Sequence, residues 1–162
     1  MRSLFIGLSL AISACATPGH AEAPHAASHS EPRPFEADRD AHADVDAALL
    51  RAEARGTKAL IVMGGNWCHD SRGFAAVLER PDTAALVAEN FELVWVNVGR
   101  KILNQDVAQR FGLDGTPGTP TVVVARPDGS VLNLEDAPTW RNAASRDPDD
   151  IHQFFVEMAA QD

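Results

Sequence analysis

Lys58-Ala59-Leu60-Ile61-Val62-Met63-Gly64-Gly65-Asn66-Trp67-Cys68-His69-Asp70-Ser71-Arg72 is the stretch on which the fold turns. Its first six residues form a short apolar run stopped by two glycines, the pattern of a buried strand. Ser71 to Arg80 follows, with Phe74, Val77 and Leu78 at helical spacing. The residues between are a strand-to-helix turn, and Cys68 opens the helix. A helix N-terminus presents unpaired N–H groups and the positive end of the dipole. That favours thiolate over thiol, and the thiolate is the nucleophile. Arg72, and His69 when protonated, act in the same direction; Asp70 opposes them. Ser71 stands one turn along the same face, so its hydroxyl can donate to the sulfur. A lone cysteine is commonly a small buried hydrophobe, but this one stands in a polar turn.

Working outward, the chain alternates helix and strand. From Asp44, the residues Val45, Ala48, Leu49 and Ala52 share a helical face, and Gly56 is a natural stop. Beyond Arg80, Pro81-Asp82 interrupts and Thr83 to Glu89 makes another turn or two. Phe91 to Val98 reads as a second strand, Asn104 to Phe111 as a short helix and Thr121 to Ala125 as a third strand. Pro127-Asp128-Gly129 is a turn signal that predicts Ser130 to Leu134 as a hairpin partner. Asp147 and Pro148 open a last helix running to about Ala160, with Asp149 and Asp150 in its first turn. The order αβαβαββα predicts an α/β domain with one parallel strand pair and one antiparallel hairpin.

Composition narrows the function classes. The chain has 162 residues, a formal charge of -9 and two cysteines. That length suits one domain with a tail. The acidic balance argues against a nucleic-acid binder, which needs a basic face, and against charge-driven docking on anionic lipid. Two cysteines cannot build a disulfide-dense scaffold or a four-cysteine metal site.

The first cysteine belongs to an export signal. Residues 1–15 place Arg2 before an apolar run from Leu4 to Ile12, too short to span a bilayer and ending in small residues. Ile12-Ser13-Ala14-Cys15 resembles the bacterial lipoprotein box, which would make Cys15 the lipid-attachment site. Ordinary cleavage after Ala14-Cys15-Ala16 also fits a small-x-small site. The lipoprotein resemblance, with Ala16 next, implies an outer-membrane anchor facing the periplasm, an oxidising compartment. Residues 16–41 are rich in Ala, Pro, His, Ser and Glu and read as a flexible tether. His20, His25 and His29 on it are read as solvated linker residues. We expect no metal site and no cofactor.

The sequence resembles the thioredoxin family. The resemblance rests on Trp67-Cys68-x-x-Ser71 after a buried strand, and on Gly118-Thr119-Pro120-Thr121 leading into three valines. It covers roughly residues 42–160. The wording around Cys68 is most like exported bacterial thioredoxin-like proteins whose site reads Trp-Cys-x-Asp-Cys. It implies a thioredoxin-like fold over residues 42–162, with a central mixed four-stranded sheet flanked by helices. It implies a cis Thr119–Pro120 bond lying against Cys68, with the Thr119 backbone offered to a substrate peptide. Cys68 and Ser71 would be the catalytic pair; Trp67, His69, Asp70, Thr119 and Pro120 would line the groove. Two departures stand out. Ser71 replaces the family's second, resolving cysteine, and a hydroxyl cannot resolve a mixed disulfide at neutral pH. Val62 stands in a strand without the buried acid of cytoplasmic thioredoxins.

The expected function is therefore periplasmic thiol–disulfide exchange or isomerisation through one reactive thiol. The alternative is a non-catalytic peptide-binding or assembly factor on the same fold. Expected partners are cysteine-containing periplasmic proteins or small thiols, with the chain a monomer. Chelation by Cys68 with His69 is disfavoured, because adjacent side chains at a helix start diverge. Trp95 is expected in the core, Trp140 as a loop anchor, and His42 and His152 on the surface.

Overall fold

The computed structural model describes residues 31–161. Cys15, the export segment and the tail histidines lie outside them. Helix α1 (Ala41–Arg55) starts at Asp40, whose side chain accepts from the Ala43 N–H, and ends at Gly56 in the left-handed region, φ 66°. Strand β1 (Lys58–Gly64) leads through the Cys68 turn into α2 (His69–Leu78). Pro81 occupies the first turn of α3 (Pro81–Asn90), where its missing N–H costs no bond. Strand β2 (Phe91–Asn97), α4 (Gln105–Arg110) and β3 (Thr121–Ala125) follow. Helix α5 (Pro148–Ala160) is capped by Asp147, which accepts from the Asp149 N–H.

The sheet order is β2-β1-β3. Strand β1 runs parallel to β2, from Lys58 opposite Phe91 to Gly64 opposite Asn97, and antiparallel to β3, with Met63 opposite Thr121. The fold class is the expected one, but the sheet has three strands among the described residues, not four. Ser130 to Leu134 begins a return along β3 and keeps only a single bridge, Ala125 to Val131. Asn133 explains the stop. Its carboxamide accepts from the Val124 N–H at 2.8 Å and donates to the Val122 carbonyl at 2.8 Å. One buried side chain thus replaces the backbone of a fourth strand along the edge of β3.

Side-chain alternation along β1 builds two apolar layers. Ile61 and Met63 pack with Val45 and Leu49 of α1 and Val107 of α4. Leu60 and Val62 pack on the other face with Phe74 of α2 and Ile151 and Phe155 of α5. The second layer holds a residue from the segment read as tether: Phe35 is 1% exposed, 5.1 Å from Trp95 edge-to-face. The folded part thus begins before residue 42, and the helix itself at Ala41.

Glu92, at the start of β2, is a buried carboxylate clasped by Arg51 and Arg55 of α1. Burial pushes its pKa up, but the two guanidinium partners outweigh burial and hold it below the ordinary 4.5. A depressed folded-state pKa contributes stability that is present above 4.5 and lost as pH falls through the folded value. Glu92→Gln should therefore lower the melting temperature at pH 7. That difference from wild type should shrink as the pH drops below 4.5 in a series of thermal melts.

Candidate active site

The topology brings the two expected site segments together. Strand β1 ends at Gly64, and β3 begins at Thr121 opposite Met63. The residues just before β3 therefore lie across the chain that leaves β1. The Thr119–Pro120 bond is cis. Cys68 takes the N-cap position of α2 in extended geometry, φ -90° and ψ 124°. Its N–H is bonded to the Gly65 carbonyl at 3.0 Å, and its carbonyl accepts from the Arg72 N–H at 3.2 Å. The sulfur is half-buried and lies 3.3 Å from the Thr119 carbonyl.

Cys68 has a pKa below the ordinary thiol value of 9.0. Burial is the largest influence and opposes ionisation. Hydrogen bonding from Thr119, from the Ser71 N–H and hydroxyl, and from the Asp70 N–H together outweighs it. The Thr119 carbonyl accepts from the protonated thiol. Ser71 is fully buried, and its hydroxyl has no hydrogen-bond partner apart from the Cys68 sulfur. Ionisation of Cys68 makes that sulfur the stronger acceptor.

The neighbouring charges are placed differently from their sequence reading. Arg72 is bound by Glu31 at 2.5 Å and by the Asn66 carbonyl at 3.0 Å, so its charge is largely spent away from the sulfur. His69 is exposed, 3.9 Å from the same Glu31. Asp70 accepts from the Ala144 N–H at 3.0 Å, tying the start of α2 to the loop after Trp140. Trp67 is 41% exposed; its indole N–H donates to the Gly99 carbonyl, and the Arg100 guanidinium lies 5.7 Å from its ring. Trp140 is 2% exposed and packs edge-to-face on Phe74 at 5.2 Å. His42 contacts Asp106, and His152 contacts Thr83. No group of three or more histidine, cysteine or acidic side chains among the described residues is arranged to hold a metal ion.

Sequence reasoning missed the residues that brace this site. Asn66 binds the Phe35 backbone through both ends of its carboxamide, at 3.1 and 2.9 Å, and Asn97 adds a bond to the same carbonyl at 3.1 Å. Gly64 lets the layers close: a Cβ there would sit 2.6 Å from the Ser71 hydroxyl and 2.8 Å from the Phe35 ring. The one large apolar residue in the polar segment before Asp40 was the available signal for Phe35. Asn66 carried none, because its partners lie 31 residues away.

Residues 40–127 match a family model described as thioredoxin-like. The chain belongs to the thioredoxin-like family. Its fold is similar to the crystal structure of a disulphide isomerase from Xylella fastidiosa Temecula1, with 30% identity and a TM-score of 0.71, covering 80% of this chain and 98% of that one. The solution structure of a thioredoxin from Thermus thermophilus is similar at 21% identity and a TM-score of 0.51, over 70% of this chain and 82% of that one, and speaks to the fold alone. No curated protein matches the chain. Within this thioredoxin-like domain, the position one turn after Cys68 holds a hydroxyl, and β1 holds Val62 with no acid among its residues.

Proposed function

We propose that this thioredoxin-like protein exchanges thiols and disulfides through Cys68 alone, outside the cytoplasm, anchored to the outer membrane by lipid on Cys15. The observation that carries the reading is the sulfur itself. It is half-buried at a helix start, against Thr119, with its pKa held down. The Cys68 thiolate attacks one sulfur of a partner disulfide. A Cys68–partner disulfide forms, and the other partner sulfur leaves as a thiolate. The second half-reaction needs an external thiolate to attack the mixed disulfide and restore Cys68, since Ser71 offers no thiol. Cysteine-containing periplasmic proteins and small thiols are the partners that fit this chemistry.

Alkylation by iodoacetamide across pH tests the reading. The rate should rise with a midpoint below 9.0, the ordinary thiol value, and vanish in Cys68→Ser. A midpoint at or above that value rejects the activated thiolate. Mixed disulfides trapped on Cys68 in cells separate exchange from peptide binding. A pure binder would trap none and would hold its partners equally well as Cys68→Ala. The mass of the mature N-terminus tests the anchor, by showing acyl groups on Cys15 or their absence.

A further inference from the structure

The chain is acidic overall, yet the surface flanking Cys68 carries cations without carboxylate partners. Arg100, Lys101 and Arg141 are exposed, and none makes an ion pair among the described residues. Each is fixed at the rim of the site by a different contact. Arg100 lies over Trp67 at 5.7 Å. Lys101 donates to the Pro117 carbonyl at 2.8 Å, just before the Thr119–Pro120 segment. Arg141 packs on Gly118, where a Cβ would stand 3.2 Å from its own.

Of the nearby acids, Glu31 is paired with Arg72, and Asp70 keeps its charge but is held on the Ala144 N–H. Among the described residues, Asp114 is the one carboxylate lining the hollow beside Lys101. The same edge exposes large apolar side chains: Trp67 at 41%, Ile102 at 79% and Leu103 at 48%. Lys101 and Asn104 hold this loop with positive φ, 66° and 52°, and Asn104 donates to the Asn97 carbonyl at 2.8 Å. Cations beside apolar side chains offer more than a small thiol can cover.

We propose that this rim docks an acidic, extended polypeptide segment that carries the disulfide attacked by Cys68. The proposal rests on the single-thiol exchange reading and names its substrate class. Carboxylates flanking the partner cysteine would meet Arg100, Lys101 and Arg141, and an apolar neighbour would cover Ile102 and Leu103. The chain's net charge of -9 repels such a segment at long range. At physiological ionic strength the Debye length is about 8 Å, so the local rim outweighs the distant acids.

The test uses cysteine peptides joined by a disulfide to 5-thio-2-nitrobenzoate, flanked by a leucine and either glutamates or lysines. Cys68 takes the peptide sulfur and releases the coloured thiolate. At about 0.15 M salt the acidic peptide should react about tenfold faster than the basic one, within the range of local steering. The ratio should collapse at about 1 M salt, where the Debye length is about 3 Å. It should also collapse in Arg100→Ser with Lys101→Ser and Arg141→Ser, and fall in each single variant. Equal rates, a preference for the basic peptide, or a preference that survives the triple substitution overturns the proposal. So does the mixed disulfide of glutathione with 5-thio-2-nitrobenzoate reacting as fast as the acidic peptide, since a small anionic disulfide with the same leaving group would then suffice. If Cys68 also resists iodoacetamide, the exchange reading itself has failed. If it alkylates normally, only the docking proposal has.

Discussion

Ser71→Cys should convert the single-thiol site into a self-resolving one. A mixed disulfide on wild-type Cys68 has no second thiol among the described residues to release it, so it persists until another thiol arrives. In the variant the new sulfur lies one helical turn from Cys68, a separation that falls within disulfide reach. The introduced thiolate attacks the Cys68 sulfur, an internal disulfide forms between the two and the bound thiol leaves as thiolate. Converting a bimolecular release into an intramolecular one should shorten the adduct lifetime at least about a hundredfold. The measurement is the release of a chromophoric thiol from a preformed Cys68 adduct without added reductant. Mass analysis should then show the protein short of two hydrogens. The Ser71 hydroxyl is fully buried and gives up no hydrogen bond except the one it offers the Cys68 sulfur, so replacing one heavy atom by sulfur comes at small cost. An adduct as long-lived as in wild type would show that residue 71 does not face the sulfur.

Phe35→Ala should be among the most damaging substitutions outside the helices and strands. The ring is 1% exposed, stands edge-to-face with Trp95 at 5.1 Å and fills the space that Gly64 leaves open. Removing a buried phenylalanine ring typically costs about 3–5 kcal/mol, from lost burial and the cavity left behind. For a domain of this size that is a fall in melting temperature of about 10 °C or more. A second effect reaches the site. The Phe35 backbone holds the Asn66 carboxamide, and Asn66 precedes Trp67 and Cys68. Loosening the arm should therefore slow exchange at Cys68 even at temperatures where the variant is folded. Thermal melts and exchange rates on one sample check both. A loss below about 1 kcal/mol would mean that the arm lies on the surface and carries no part of the core.

These results separate what local pattern carries from what it does not. The strand, the turn and the helix around Cys68 are legible because each is written in contiguous residues: an apolar run, two glycines and a helical face. Asp147 and Pro148 likewise announce α5 by local capping chemistry. The expected fourth strand fails for the same reason. Ser130 to Leu134 follows a good hairpin turn, and only the tertiary structure shows the Asn133 carboxamide taking the backbone's place along β3. Proximity in sequence makes Arg72 and His69 look like supports for the thiolate; in the fold both turn to Glu31.

The sequence by itself determined the helices and the three strands that form, the parallel pairing of the first two strands and the family, and it singled out Cys68 as the candidate nucleophile. Each follows from periodicity, capping or a contiguous motif, which are properties of neighbours along the chain. Tertiary structure alone decided the three-stranded sheet, the burial of Phe35 and, among the described residues, the cations without ion pairs around the site. Those depend on which side chains meet across separations from 9 positions, Asn133 with Val124, to 31, Phe35 with Asn66, where no local pattern records the partner.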